Sequence, residues 1–258
     1  MRSRALAVLL LAMGAQRAWP ADLKPATVAA FDRYVRQAEE RLNARRSFLW
    51  AGESPDRSRR VRKGEVVVEP AGAKAIVEVS DGLIHDWVGA VFVPGVSLAA
   101  VLEHVQDYDH ARTVHRDVMH SHIIAHNGND FLVYMRLIKK KAITVVLDTE
   151  HDIHYVPIDA THCRSQSRTI KIAEVENPGK RGEQEMPPGM GHGFLWKLDT
   201  YWRFQQRDGG TWIECEAISL TRDIPTGLGW LIEPIIRSLP EESLENTLRE
   251  TAASFARK

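Results

Sequence analysis

Only two cysteines, Cys163 and Cys215, occur among the 258 residues. No network of several disulfides and no paired Cys-x-x-Cys zinc motif can therefore organise the chain. Neither sign of charge prevails, with 34 Lys+Arg against 34 Asp+Glu. That balance argues against a dedicated nucleic-acid binder, which needs a basic surface to displace counterions. No run of 18 apolar residues is present, which excludes a polytopic helical membrane protein. Also missing are Gly-x-Ser-x-Gly, a Walker loop, a dinucleotide fingerprint and His-Glu-x-x-His. What is present is a hydrophobic content of 44%, too high for a disordered chain. A chain of this length buries roughly 70–75% of its unfolded surface, enough for a full core.

The N-terminus carries Arg2 and Arg4 before an apolar run from Ala5 to Ala15. This is the charged and apolar pattern of a signal peptide, too short to span a bilayer. The expectation is removal of residues 1–21 and export to a periplasmic or secreted location. A cut after Ala21 puts Trp19 at the −3 place and a cut after Ala18 puts Gln16 there, so the exact site stays open. Removal takes away Arg2, Arg4 and Arg17, leaving a net charge of about −3. An oxidising compartment permits a Cys163–Cys215 bridge, but isolated thiols in strand-like segments more often serve as small buried hydrophobes.

Residues 22–64 read as an N-terminal appendage. Val28, Phe31, Val35, Ala38 and Leu42 recur at steps of three or four, predicting an amphipathic helix over 26–46. The polar stretch that follows holds Arg57, Arg59, Arg60, Arg62 and Lys63. It reads as a solvated connector or, alternatively, as a basic arm making transient contact with an anionic membrane surface.

The main domain is expected over residues 65–258. Val66–Val68, Ile76–Val79 and Ile84–Val93 look like strands, and Ser97 is an N-cap candidate for a short helix over 98–105. Strand patterns continue over 118–125, 131–138, 143–155 and 162–175. Residues 177–193, rich in Gly, Pro and Glu, form a candidate lid or portal. The last hairpin joins 195–207 to 211–220 through Asp208-Gly209-Gly210. A Gly209-Gly210 loop sets Arg203 opposite Glu216, and a loop slipped by one residue at each end sets it opposite Glu214. In either register Trp196, Trp202, Phe204, Ile213 and Cys215 share one face, and Arg203, Glu214 and Glu216 share the other. The second group is expected to be a cross-strand ion pair on the outer face. After Pro225 a helix over 230–239 should be interrupted by Pro240 and resume over 241–256.

Eleven histidines invite a search for a metal site, but their spacing suggests no third ligand beside His120 and His122. His192, between two glycines beside the long loop, is the strongest functional histidine and a candidate portal residue. Trp87, Trp196, Trp202, Phe204 and Trp230 either fill a core or line an apolar cavity.

The element order resembles the helix-grip fold of the START-like superfamily (SRPBCC), which includes lipid-transfer domains and polyketide cyclases. The matching residues are Trp87-Val88-Gly89-Ala90-Val91-Phe92-Val93-Pro94-Gly95, Val105-Gln106-Asp107-Tyr108, Tyr201-Trp202-Arg203-Phe204 and the run from Glu214 to Pro225. They cover about residues 65–258 and resemble an exported bacterial branch. The resemblance implies an α+β fold, an antiparallel sheet wrapped around a long C-terminal helix, with an N-terminal helix added. It also implies a cavity between sheet and helix for a lipid, isoprenoid or polyketide-like molecule. Trp87, Trp196, Trp202, Phe204, Ile213, Cys215 and Trp230 are the expected lining. No catalytic residue, metal or cofactor is assigned, and a cyclase or dehydratase using the same cavity is the alternative.

Overall fold

The computed structural model describes residues 22–140, 144–223 and 229–256, with side chains described up to Asp223 and again from Ile236. The signal-peptide expectation falls outside these residues. Period-two alternation produces strands β1 (Val67–Pro70), β2 (Ile76–Val79), β3 (Gly82–Pro94), β4 (Val118–Asn127), β5 (Asp130–Lys140), β6 (Thr144–Asp159), β7 (His162–Glu176), β8 (Gln184–Glu185), β9 (Lys197–Arg207) and β10 (Gly210–Arg222). They form one antiparallel sheet in the order β1-β3-β10-β9-β7-β6-β5-β4, with β2 on β3 and β8 on β7. Helices α1 (Pro25–Asn43), α2 (Pro55–Arg62), α3 (Leu98–Val105), α4 (Ala111–Val114) and α5 (Gly229–Phe255) complete the fold.

The inner face grips α5. Trp87, Val91, Phe131, Ile153, Phe204, Ile213 and Cys215 pack with Leu244 and Leu248 of α5 and with Leu98 and Val101 of α3. Pro240 takes one N–H out of the helical ladder, yet α5 runs through it from Gly229 to Phe255 without the expected break.

The outer face is covered too. The stripe Phe31, Val35 and Ala38 of α1 packs on Ile84, Ile218 and Leu220. Leu49, Trp50 and Val61 pack on Val88, Phe92 and Trp212. Two covered faces explain why β3 is buried from Gly82 to Val93 and reads as a near-continuous apolar run.

This corrects the connector expected before residue 65. Ser54 caps α2 by accepting from the Arg57 N–H, and Pro55 occupies its first turn. Val61 is fully buried. The arginines are largely satisfied within the fold. Arg57 stacks 3.7 Å over Trp50 and pairs with Glu69, while Arg60 pairs with Glu65 and Arg62 with Asp208.

The last hairpin takes the slipped register, with Arg203 opposite Glu214 and Arg207 opposite Gly210. Asp208 (φ 58°) and Gly209 (φ 77°) form the two-residue loop, the paired positive φ of a type I′ turn. Glu214 and Glu216 do lie on the outer face, but beneath α1 rather than in solvent. Arg45 donates to both, at 2.8 and 2.6 Å, and Arg41 bridges Glu216 and Asp86, each at 2.7 Å. Arg203 instead donates to the carbonyls of Phe48 and Leu42, at 2.7 and 2.8 Å.

Candidate functional site in the sheet interior

Strand register sorts the inner face into rows. The first is apolar: Cys163, Phe204, Ile213 and Val91. Next come Tyr155, Ser165, Trp202, Cys215 and Gly89, and then Ile153, Ser167, Thr200, Ala217 and Trp87. The last joins His151 and Thr169 to Leu198, Ser219 and His85, with the Leu198 N–H donating to Thr169 Oγ1 at 3.0 Å. Hydroxyls and imidazoles therefore accumulate toward one end. Leu248 lies over Gly89, whereas the charge of Arg237 reaches His85, so the polar end faces the N-terminal half of α5.

Each imidazole meets a threonine hydroxyl that also faces a backbone carbonyl. Thr149 Oγ1 spends its proton on the Met135 carbonyl at 2.8 Å, so its 2.8 Å contact with His151 Nε2 makes that nitrogen the donor. Thr221 Oγ1 contacts the Arg222 carbonyl at 3.2 Å, which can only accept, and His85 Nε2 at 3.1 Å; with its proton on the carbonyl, Nε2 is the donor. In that tautomer His85 Nδ1 is a bare acceptor, buried and with no hydrogen-bond partner among the described residues. The same holds for the Trp87 Nε1 donor, two residues along the same face. Burial drives the pKa of His85 down to about 4, helped by Arg237, and burial alone drives His151 to about 4. Both rings are neutral near pH 7. Burial pushes the Cys163 and Cys215 thiols up, so they stay protonated and poorly nucleophilic. Tyr108 and Tyr155 share a 2.7 Å hydroxyl contact at the apolar end.

Of the expected lining, Trp87, Phe204, Ile213 and Cys215 meet in one cluster, with Trp202 partly buried against it. Both cysteines are free and buried there. Trp196 belongs elsewhere, among Phe31, Val35, Ile84, Ile218 and Leu220 beneath α1. It precedes the first residue of β9, so the strand's alternation does not reach it. The Trp230 side chain lies outside the described residues. His192 is not in the interior. Its Nδ1 lies 2.9 Å from Glu174, which also accepts the backbone N–H groups of His192, Gly193 and Phe194. Burial pushes Glu174 up, but these bonds hold its pKa below the ordinary value, and the pairing raises that of His192. The 177–193 segment is pinned further by β8 on β7 and by the Leu23 N–H on the Gly189 carbonyl.

One antiparallel sheet packed on a long C-terminal helix, with α3 joining the same inner cluster, decides the architecture. The fold is START-like. No protein-family model matches the chain, and no curated protein matches it. Among solved structures, the chain is similar to a STAR-related lipid transfer protein from Xanthomonas axonopodis, with 14% identity, TM-score 0.45, and 72% of this chain and 100% of that one covered. It is similar to human STARD10, with 9% identity, TM-score 0.45, and 79% and 81% covered. It is also similar to the Zhui aromatase/cyclase from Streptomyces sp. R1128, with 13% identity, TM-score 0.43, and 67% and 94% covered. Outside the sheet and its gripped helix this chain carries the outer layer of α1 and residues 49–62.

The rows are partly readable from the strands. Ser165, Ser167 and Thr169 alternate in phase with Cys163, and His85 is in phase with Trp87. Considering each histidine as a metal ligand hides its place in an amphipathic row. Of two cavities of about 240 and 210 Å³, the first reaches the polar end of this face at Thr169 and the second lies on the outer face. The first is where β7 and β9 part near Leu23 and Trp196, and the second is beside α1 at Arg164 and Arg203.

Proposed function

We propose that the interior binds a hydrophobic small molecule with a neutral, hydrogen-bonding end group and does not transform it. The observation that carries this is a pair of polar atoms at the hydroxyl-rich end that have no partner among the described residues, the His85 Nδ1 acceptor and the Trp87 Nε1 donor. Buried polar groups are otherwise satisfied in folded proteins. A hydroxyl can donate to the one and accept from the other, whereas an ionised carboxylate offers His85 no proton. A hydrophobic body lying along the apolar rows would gain about 25 cal/mol per Å² of apolar area removed from water.

The non-catalytic part of the reading rests on the neutral imidazoles and protonated thiols. A cyclase or dehydratase is the second reading, favoured by the same bare His85 Nδ1, which can act as a base on a bound substrate. Export to the periplasm or exterior belongs to the proposal and rests on the pattern of Arg2, Arg4 and the apolar run. N-terminal sequencing from the native host should start near Asp22, and recovery of Met1 would contradict export.

Titration with isoprenoid quinols, fatty alcohols and aromatic polyketides, followed by tryptophan fluorescence, tests the binding. At least one hydroxyl-bearing class should saturate at micromolar concentration, and its methyl ether should bind about tenfold more weakly, the worth of a lost hydrogen bond. Equal binding of alcohol and ether refutes the assigned end group. A ligand recovered chemically altered establishes the enzymatic reading.

A further inference from the structure

The second cavity, of about 210 Å³, lies on the outer face between the end of α1 and the β6–β7 hairpin. Arg45, Arg164 and Arg203 line it, with Phe48 and Ile158 as its apolar side. The three cations are not equivalent. Arg45 is buried, and both its terminal nitrogens are committed to Glu214 and Glu216. Arg203 donates two of its N–H groups to the Phe48 and Leu42 carbonyls, which satisfies acceptors without neutralising charge. Arg164 is exposed and forms no ion pair among the described residues.

Arg164 and Arg203 are direct cross-strand partners in the β7–β9 ladder. Like charges placed opposite each other destabilise a sheet. Glu214, on the other side of Arg203, is turned toward Arg45 and the Ala51 N–H. Burial lowers the pKa of Arg203, with Arg45 and Arg164 adding to the effect and Glu214 opposing it. A tetrahedral oxyanion is the ligand that two guanidinium forks recognise best, and the cavity volume accommodates one.

We propose that this cavity is an anion site for a phosphate group, held between Arg164 and Arg203. The chemistry is shared by inorganic phosphate and by the headgroup of an anionic lipid. Ile158, 52% exposed at the hairpin, and Phe48 supply an apolar rim for the second source. The site is on the opposite face of the sheet from the proposed ligand-binding interior and does not depend on it.

The test compares wild type with Arg164→Gln, an exposed substitution, in chloride and in inorganic phosphate at matched ionic strength. In chloride the variant should melt at the same temperature as wild type or higher, because the repulsion with Arg203 is gone. In phosphate wild type should gain saturably, and the variant should need about tenfold more phosphate or show no saturation. Arg164→Lys keeps the charge without the fork and should fall between. Flotation with phosphatidylcholine vesicles, with and without about one-fifth phosphatidylglycerol, separates the sources. Capture only by the anionic vesicles, lost in Arg164→Gln, identifies a lipid headgroup. A saturable, Arg164-dependent phosphate gain without flotation identifies the free anion. An equal phosphate gain in wild type and Arg164→Gln is a general salt effect and, with no Arg164-dependent flotation, overturns the proposal.

Discussion

Leu248 of α5 presses directly on the backbone of β3 at Gly89. A Cβ at position 89 would come 2.7 Å from Leu248 Cδ1, 2.9 Å from Val68 Cγ2 and 3.1 Å from the Val67 carbonyl. The helix is gripped where the sheet has no side chain. Gly89→Ala should therefore cost about 1–3 kcal/mol through overpacking. Combining it with Leu248→Ala should show coupling, because one substitution removes what the other strikes. Urea unfolding of the single and double variants measures this, and strict additivity would contradict the contact.

The outer layer is held by charge as well as by apolar packing. Arg45→Ala leaves Glu214 and Glu216, 2% and 1% exposed, without their shared cation, and should cost about 3–5 kcal/mol. Hydrogen exchange should rise first in α1. A loss below about 1 kcal/mol would show that the pair behaves like a surface ion pair.

Acid should weaken the fold through its buried imidazoles. The pKa of His151 is held near 4, from 6.5, so between these values the unfolded chain binds more protons and the folded state loses stability as pH falls. The full contribution, on the order of 2–3 kcal/mol, is present above pH 6.5 and lost through pH 4. Burial gives Glu214 and Asp199 the opposite sign, raising them to about 7 and about 6. These two favour the folded state as pH falls through those values. The contribution of His151 is isolated by His151→Gln. The stability of wild type minus that of the variant should shrink by about 2–3 kcal/mol from pH 7 to pH 4, and a constant difference would contradict it.

Regular alternation makes the sheet legible in the amino-acid sequence. It places Trp202, Phe204, Ile213 and Cys215 on the inner face of the last hairpin, where they lie. It fails at Trp196, one residue outside β9, where parity no longer governs. The outer layer is harder to read, because Arg41, Arg45, Glu214 and Glu216 look like solvated charge until α1 is known to cover them. Composition cannot distinguish a charged surface from a buried charge network; only the partner element does. The polar end of the interior escapes for a related reason. Serines and threonines on a strand look like a solvent-facing edge, and their inward direction follows only from register with Cys163 and Phe204.

The central claim, that the interior holds a hydrophobic molecule anchored at His85 and Trp87, is tested most directly by native mass spectrometry. Protein isolated from its native host should be compared with Ala217→Trp, which fills the interior row between Thr200 and Trp87. The account predicts a co-purifying apolar molecule with a hydroxyl-type end group on the wild-type protein and its loss from the folded variant. Wild-type protein that carries no such molecule and takes none up from host lipid extract would contradict it, as would a ligand retained at equal occupancy by Ala217→Trp.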